Sequence, residues 1–224
     1  MAERIQFQTQ DGVTIVADWS PAPTMIGAVL LVHMMPETRK SWSAMSTELV
    51  KRGLGALAID LRGHGDSTQT EEGDKLDYQK FNDSEHLAGI YDVMAGVEWL
   101  RGRGIEISRI ALVGSSIGAN LSVRMLTEEP RMPGAVLFSP GENYHGLMVL
   151  EDAQNLLPDQ SLYILASEDD AESAATSRKL YDQAPIDTKI LTPYKAAGHG
   201  NAILESDKAL GGKLANWLAE IVKG

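Results

Sequence analysis

The chain has 224 residues, of which 43% are hydrophobic and 23% charged, the balance of a soluble globular protein with a large core. Its formal net charge of −11 argues against nucleic-acid and membrane partners, since phosphate binding needs clustered lysine and arginine. The absence of cysteine removes disulfides, thiolate catalysis and cysteine-based zinc sites. We expect one domain over 1–224, with no metal and no cofactor.

Strand patterns dominate the first part of the chain. Arg4–Gln8 and Val13–Trp19 alternate apolar and polar residues around an Asp-Gly turn, which predicts an antiparallel hairpin. Continuous apolar runs at Gly27–His33 and Leu54–Asp60 predict strands buried on both faces of a parallel sheet. A helix over Ser43–Arg52 separates these two strands.

Helices and strands alternate through the rest of the chain. Apolar side chains at three- and four-residue spacing predict one long helix over Asp83–Arg101. The remaining predicted elements are strands at Ile110–Val113, Ala135–Ser139, Leu162–Ala166 and Thr188–Leu191, and helices at Ile117–Glu128, Leu147–Asn155, Glu172–Gln183 and Ala202–Val222, the last with Gly211-Gly212 as the place of a break if there is one. About eight strands with helices between them predict a doubly wound α/β sheet.

A glycine-rich turn joins one of these strands to the helix that follows it. The sequence there is RIALVGSSIGAN, and it contains the pattern G-x-S-x-G. This pattern is typical of a nucleophile elbow, in which a strained turn exposes a serine above the sheet. Ser116 is then the nucleophile, and the N–H of Ile117 at the helix start faces an anion that develops beside it. The pattern also occurs by chance, so the rest of the sequence decides whether it marks a catalytic serine.

Further polar motifs follow other predicted strands, where the active sites of open parallel sheets form. They are VHMMP at 32–36, LRGHGDS at 61–67, ILASEDD at 164–170 and AGHG at 197–200. Together with GSSIG, these segments resemble the α/β-hydrolase family, in the family's order and over nearly the whole chain. The resemblance implies an eight-stranded, mostly parallel sheet with helices on both faces.

The resemblance also implies a catalytic triad. Ser116 is the nucleophile, His199 is the base, and Asp170 is the acid that orients the imidazole. Asp169 is the alternative acid, since a one-residue shift of the loop would exchange the two. Glu142 is a third candidate because some family members carry the acid after the preceding strand.

The oxyanion hole implied by the family combines the backbone N–H groups of Ile117 and Met35. One residue departs from the family's pattern, since Met34 stands where glycine is usual. If that position needs a positive φ, methionine there is strained.

The family's usual helical cap has no room here, since only Pro140–Gln160 is available for it. We therefore expect an open site and a resemblance to the small carboxylesterase and dienelactone-hydrolase-like branches, which act on small or short acyl groups. The candidate substrate-binding residues are Met34, Trp42, Tyr144 and His145.

The expected partner is a small-molecule ester, hydrolysed through an acyl-enzyme. A thioesterase, a small-peptide hydrolase or an acyltransferase would use the same residues, and a non-catalytic ligand-binding protein is the alternative from another class. The N-terminal segment MAERIQFQTQDG has no apolar region of the kind found in signal peptides, so we expect a cytoplasmic location.

Overall fold

The computed structural model describes residues 2–223, so Met1 and Gly224 of the predicted domain 1–224 lie outside the described residues. Its strands are β1 (Glu3–Gln8), β2 (Val13–Ser20), β3 (Gly27–Val32), β4 (Leu54–Ile59), β5 (Gln69–Thr70), β6 (Ile110–Ser115), β7 (Gly134–Phe138), β8 (Asn143–Tyr144), β9 (Leu147–Met148), β10 (Ser161–Ser167) and β11 (Thr188–Tyr194). Its α-helices are α1 (Ser43–Val50), α2 (Asp83–Leu87), α3 (Ile90–Gly102), α4 (Ile117–Glu128), α5 (Val149–Ala153), α6 (Ala171–Gln183), α7 (Asn201–Ser206) and α8 (Leu210–Ile221).

One mixed sheet organises the fold. Its strand order is β1-β2-β4-β3-β6-β7-β10-β11, and the short β5 pairs with β2. The pairs β1–β2 and β2–β4 are antiparallel, and every later neighbour in the order is parallel. The predicted α/β class and its mostly parallel sheet of about eight strands are therefore confirmed.

Helices cover both faces of the sheet. Because side chains alternate along a strand, Leu30 packs into one apolar cluster and the next residue, Leu31, packs into the other. The first cluster lies beneath α3, α4 and α6, and the second beneath α1 and α8. None of the helices within residues 2–223 has the length and apolar character needed to cross a bilayer.

The prediction of one helix over Asp83–Arg101 is wrong, because the structure has two helices there. The chain leaves the helical pattern at Gly89, whose N–H donates to the His86 carbonyl at 3.0 Å, three residues earlier. Such three-residue hydrogen bonds tighten a helix end. The apolar spacing continues across this tight turn and therefore hides it.

The C-terminal helix breaks at Asp207, and the proposed break at Gly211-Gly212 is wrong because both glycines lie inside α8. Asp207 accepts the Tyr194 hydroxyl at 3.0 Å and the Ala209 N–H at 3.0 Å, so its side chain fixes the turn that precedes α8.

The segment after β7 also differs from the prediction of a helix over Leu147–Asn155. Leu147 and Met148 pair with β8 in a two-stranded hairpin, and the helix that follows is only α5. This hairpin and α5 are the regular structure between β7 and β10, in place of a helical cap.

Candidate active site

Ser116 lies on a strained turn between β6 and α4. Its backbone has φ 55° and ψ −120°, and its N–H donates to the Phe138 carbonyl of β7 at 2.8 Å. A Cβ atom on Gly114 would collide with the backbone of Gly118, and one on Gly118 would collide with the Val32 carbonyl. The two glycines therefore let α4 approach β6 and β3 closely, which is the backbone arrangement that G-x-S-x-G predicts.

His199 and Asp170 form a direct contact at the ends of neighbouring strands. Asp170 follows β10, His199 follows β11, and Asp170 Oδ2 lies 2.6 Å from His199 Nδ1. The imidazole side chain is 34% exposed and the carboxylate 20%, so the pair lies at an open edge of the molecule. This geometry fixes Nδ1 as the protonated nitrogen and leaves Nε2 free to accept a proton.

The turn that carries His199 packs directly against the turn that carries Ser116. The N–H of Gly200 donates to Ser139 Oγ at 2.9 Å, and a Cβ atom on Gly200 would lie 2.6 Å from Ser115 Oγ. Within residues 2–223 no hydrogen bond joins the Ser116 hydroxyl to His199. Hydrogen bonds of this kind often tighten only when substrate binds.

Asp169 has a different environment from its neighbour. It accepts the Ser167 hydroxyl and, at 3.2 Å, the N–H of Gly198. These hydrogen bonds lower the pKa of Asp169, the contact with Ser167 being the largest cause. Asp169 therefore ties the loop after β10 to the loop after β11, whereas Asp170 contacts the imidazole. Glu142, the third candidate, instead pairs with Lys179 on the surface at 2.5 Å.

Met34 and Met35 lie on the loop after β3, next to the His199 turn. A Cβ atom on Gly200 would collide with Met34 Sδ, so the thioether packs against this turn. Among residues 2–223, the non-glycine residues with positive φ are Ser116, Ser139 and His145, so Met34 replaces the usual glycine without left-handed strain.

Two backbone N–H groups at this edge are available to an anion. Ile117 is the first residue of α4, so its N–H has no acceptor within the helix. The N–H of Met35 has no hydrogen-bond acceptor in the described part of the chain. Both belong to segments that flank the Ser116 turn, since a Cβ atom on Gly118 would also lie 2.8 Å from the His33 carbonyl.

The buried side chain of His33 holds this loop in place. The N–H of Leu61 donates to Nε2 at 3.0 Å, and Nδ1 donates to the Met34 carbonyl at 2.8 Å. Burial, with a smaller effect from His64, lowers the pKa of His33 to about 3. His33 therefore ties the loop after β3 to the segment that follows β4.

The candidate substrate-binding residues separate into two groups. The Tyr144 ring lies edge-on to His199 with 6.5 Å between ring centroids, and Met34 packs beside Gly200. Trp42 has no exposed surface and packs against Phe138 in the core, so the expectation that it contacts substrate is corrected. His145 lies in the same hairpin as Tyr144 but turns towards α2, where its ring stacks on that of His86 at 3.9 Å.

Three buried polar residues near the site were missed in the sequence. Asn120 on α4 donates to the carbonyls of Gly141 and Leu147 and accepts the Gly141 N–H. Ser173 places its hydroxyl 3.5 Å from His199 Nδ1, and Ser139 binds Gly200. Ser173 follows Asp170 by three residues, a spacing that puts both near one helix start. No local pattern distinguishes Asn120 or Ser139.

Comparison with known families matches residues 23–158, more than half of the chain, to the family described as serine aminopeptidase S33. A bifunctional esterase/perhydrolase of Acinetobacter calcoaceticus is 32% identical over 128 residues, which are 57% of this chain and 40% of that protein. A non-heme chloroperoxidase of Burkholderia pyrrocinia is 27% identical over 129 residues, with the same coverages of 57% and 40%. The match thus spans less than half the length of these relatives.

Solved structures with this fold include esterases and other hydrolases. An esterase of Pyrococcus furiosus has a TM-score of 0.80 at 19% identity, covering 99% of this chain and 93% of that one. An α/β hydrolase from Penicillium sp. sh18 also has a TM-score of 0.80, at 13% identity and full coverage of both chains. At these identities the likeness establishes the α/β-hydrolase fold.

Proposed function

The chain belongs to the serine aminopeptidase S33 family of α/β-hydrolases, and on that premise we propose that it is a serine hydrolase that cleaves carboxylic esters with small or short acyl groups. The observation that carries the proposal is the 2.6 Å contact between Asp170 and His199 beside the strained turn of Ser116. An imidazole oriented by a carboxylate beside a serine on a strained turn is the arrangement that activates a hydroxyl for acyl transfer.

In the first half of the reaction, Ser116 Oγ attacks the ester carbonyl carbon while His199 Nε2 takes the hydroxyl proton. The tetrahedral intermediate then collapses, the C–O bond to the alcohol breaks, and His199 donates its proton to the leaving alkoxide. Asp170 keeps the proton on Nδ1 and stabilises the imidazolium that forms between these steps. The products are an acyl-Ser116 ester and a free alcohol.

In the second half, water replaces the alcohol. His199 Nε2 takes a proton from the water as its oxygen attacks the acyl carbon, and returns that proton to Ser116 Oγ as the acyl–enzyme bond breaks. In both halves the oxyanion accepts hydrogen bonds from the N–H groups of Ile117 and Met35, and the dipole of α4 adds to their effect. Protein groups and water supply all of this chemistry.

The preference for small acyl groups rests on what stands beside the site. The hairpin β8–β9 and α5 take the place of a cap, so a long acyl chain has little enclosed apolar surface to bind. Met34, which packs beside Gly200, and Tyr144, whose ring lies edge-on to that of His199, can contact a short acyl or alkyl group. Trp42 is excluded from this role by its burial.

The family's description favours one alternative, the hydrolysis of small peptides. The same three side chains would serve a peptide, a thioester or an acyl acceptor other than water. Matched p-nitrophenyl ester, p-nitroanilide and thioester substrates with one common acyl group separate these activities. Faster cleavage of the anilide than of the ester contradicts the esterase proposal and supports a peptidase.

The decisive experiment compares turnover of p-nitrophenyl acetate, butyrate and octanoate by the wild type and by Ser116→Ala. We expect kcat/KM to be highest for acetate or butyrate and to fall by about 10³-fold or more in the variant. Equal rates for the two proteins contradict an enzymatic role and support a non-catalytic ligand-binding protein. Labelling by a fluorophosphonate at a residue other than Ser116 contradicts the assignment of the nucleophile.

Two neighbouring carboxylates provide a matched control for the acid. Asp170→Asn removes the charge next to the imidazole, and we expect kcat to fall by about 10³- to 10⁴-fold. Asp169→Asn makes the same chemical change one residue earlier and weakens only hydrogen bonds between loops, so we expect a loss of about tenfold or less. The reverse order of effects would make Asp169 the acid.

A further inference from the structure

Ser139, the residue that follows β7, is an unusual serine. It is completely buried, and its φ of 48° places a residue with a side chain in the left-handed region. Such a conformation is costly for residues other than glycine, and it is concentrated at functional sites. The proposed reaction steps do not use Ser139.

Each polar group of Ser139 binds a different part of the site. Its N–H donates to the Leu165 carbonyl of β10 at 2.8 Å, and its carbonyl lies 3.4 Å from the Tyr144 hydroxyl of the hairpin. Its hydroxyl oxygen accepts the N–H of Gly200, the residue after His199, at 2.9 Å. Ser139 therefore joins the strand of the acid, the hairpin and the turn of the base.

The residue before Ser139 completes this arrangement. The Phe138 carbonyl accepts the N–H of Ser116 at 2.8 Å, so the end of β7 holds the nucleophile's turn as well. Phe138 at the end of β7 and Ser139 directly after it thus bind the backbone on both sides of the gap that a proton crosses between Ser116 and His199. The end of β7 and the residue after it therefore contact both turns.

A second route leads from Ser139 to the imidazole itself. The Tyr144 hydroxyl, which lies beside the Ser139 carbonyl, is also 3.4 Å from Ser173 Oγ, and that hydroxyl is 3.5 Å from His199 Nδ1. Ser139 therefore supports the His199 turn through its own hydroxyl and the imidazole ring through two further hydroxyls.

We propose that Ser139 is a positioning residue whose buried hydroxyl, held in a left-handed conformation, sets the distance between His199 and Ser116. A glycine at this position would relieve the backbone strain but lose the hydroxyl, so the strain is the consequence of presenting that hydroxyl to Gly200. The expected change in kcat rests on the proposed serine hydrolase function. The expected loosening of the His199 turn rests only on the hydrogen bond between Gly200 and Ser139.

The test uses two substitutions that separate the hydroxyl from the strain. Ser139→Ala removes the hydroxyl and keeps the strain, whereas Ser139→Gly removes both. Ser115→Ala is the matched control, because the Ser115 hydroxyl is also buried next to Gly200 but has no hydrogen-bond partner. Each protein is assayed with p-nitrophenyl acetate, and amide exchange at Gly200 and the titration of the His199 ring are followed by NMR.

We expect kcat to fall by about tenfold in both Ser139→Ala and Ser139→Gly with KM nearly unchanged, the factor that corresponds to one lost hydrogen bond. Amide exchange at Gly200 should accelerate by at least about tenfold in both variants, and the acid limb of the pH–rate profile should move with the His199 titration. Ser115→Ala should resemble the wild type in every measurement.

Full activity and unchanged Gly200 exchange in Ser139→Gly overturn the inference, since the hydroxyl would then hold nothing. Loss of activity in Ser139→Ala alone also overturns it, because backbone strain would then be the cause. If the wild type and Ser116→Ala hydrolyse the ester equally, the proposed function fails, and the Gly200 exchange rates still decide whether Ser139 holds the turn.

Discussion

The loop after β3 and the hairpin after β7 both lie against the first turns of α4, but different forces hold them there. The loop after β3 rests on buried charges. Arg39 on this loop is 5% exposed, and its guanidinium contacts the carboxylates of Asp18, Asp60 and Asp66. Asp60, which is completely buried after β4, also accepts the backbone N–H groups of Arg39 and Asp66 at 2.7 and 2.8 Å.

The hairpin Asn143–Met148 is held by neutral groups. Its buried tie is the Asn120 amide, which makes three hydrogen bonds to the backbone of Gly141 and Leu147. The ion pair of Glu142, just before the hairpin, with Lys179 and the contact of His145 with Asp83 are on the surface.

This difference matches the tasks of the two segments in the proposed reaction. The loop after β3 supplies an oxyanion donor, which must stay within a few tenths of an ångström of its target to be effective. The hairpin supplies contacts to the substrate, where adjustment is tolerated and a change of side chain alters preference. We therefore expect the buried charged cluster to hold its loop more firmly than the buried amide holds the hairpin.

The largest expected effect comes from breaking the charged cluster. Asp60→Ala leaves Arg39 buried with fewer partners and frees two backbone N–H groups, so we expect the free energy of unfolding to fall by about 3–5 kcal/mol. Urea denaturation measures it. Glu98→Ala, which breaks the exposed pair with Arg101, is the control and should change it by about 0.5 kcal/mol or less. A loss below about 1 kcal/mol in Asp60→Ala would contradict the idea that buried charge fixes this loop.

The next largest effect comes from the hairpin's amide. Asn120→Ala strands buried backbone groups of Gly141 and Leu147, for an expected loss of about 2–3 kcal/mol in the free energy of unfolding. Because the hairpin carries Tyr144, KM for p-nitrophenyl butyrate should rise several-fold while kcat changes less. Asn120→Asp keeps the acceptor for the Gly141 N–H but loses both donors. Its free energy of unfolding should lie between those of the wild type and Asn120→Ala, or below both. An unchanged KM in Asn120→Ala would show that the hairpin does not contact the substrate.

The same contrast explains which features could be predicted from the sequence. The run Leu54–Asp60 and the turn around Ser116 follow from local patterns, because strand ends and tight turns leave local signatures, whereas Asp170 and His199 follow from the resemblance to the α/β-hydrolase family. The bonds of Asp60 to Arg39 and those of Asn120 could not be predicted, since they join residues more than twenty positions apart along the chain. Long-range hydrogen bonds leave no period in the sequence.

Local rules also failed where tertiary contacts overrode them. Glycine is a poor helix former, which pointed to a break at Gly211-Gly212, but the hydrogen bonds of Asp207 moved the break upstream. The replacement of glycine by Met34 suggested strain, yet the loop reaches its position with an ordinary backbone. Trp42 is buried because it packs against Phe138 in the core, a contact that the residue type alone does not predict.

A pH effect of intermediate size follows from His33, which ties the loop after β3. Burial lowers the pKa of its folded form from 6.5 to about 3, so between these values the unfolded chain binds a proton that the folded protein does not. Stability is therefore complete above pH 6.5 and decreases as the pH falls towards 3, by at most about 1.4 kcal/mol per pH unit from this residue.

Urea denaturation at a series of pH values measures this slope. His33→Asn removes the titrating ring, so the slope between pH 6 and 4 should decrease by about 1 kcal/mol per pH unit. Part of the slope should remain in this variant, because burial also lowers the pKa values of the His64 and His86 rings. A His33 ring that titrates near pH 6.5 in the NMR spectrum of the folded protein would rule out this origin.

The smallest effect concerns the charges on the hairpin side. Glu142 and Lys179 lie 2.5 Å apart, yet each side chain is 49% exposed, so water screens their attraction. A double-mutant cycle of Glu142→Ala and Lys179→Ala should give a coupling energy of about 0.5 kcal/mol or less, with KM for p-nitrophenyl butyrate unchanged. A coupling above about 1 kcal/mol would mean that charge positions the hairpin as it does the loop after β3. With weak coupling, the position of the hairpin depends on Asn120, and its exposed residues are free to vary with the substrate.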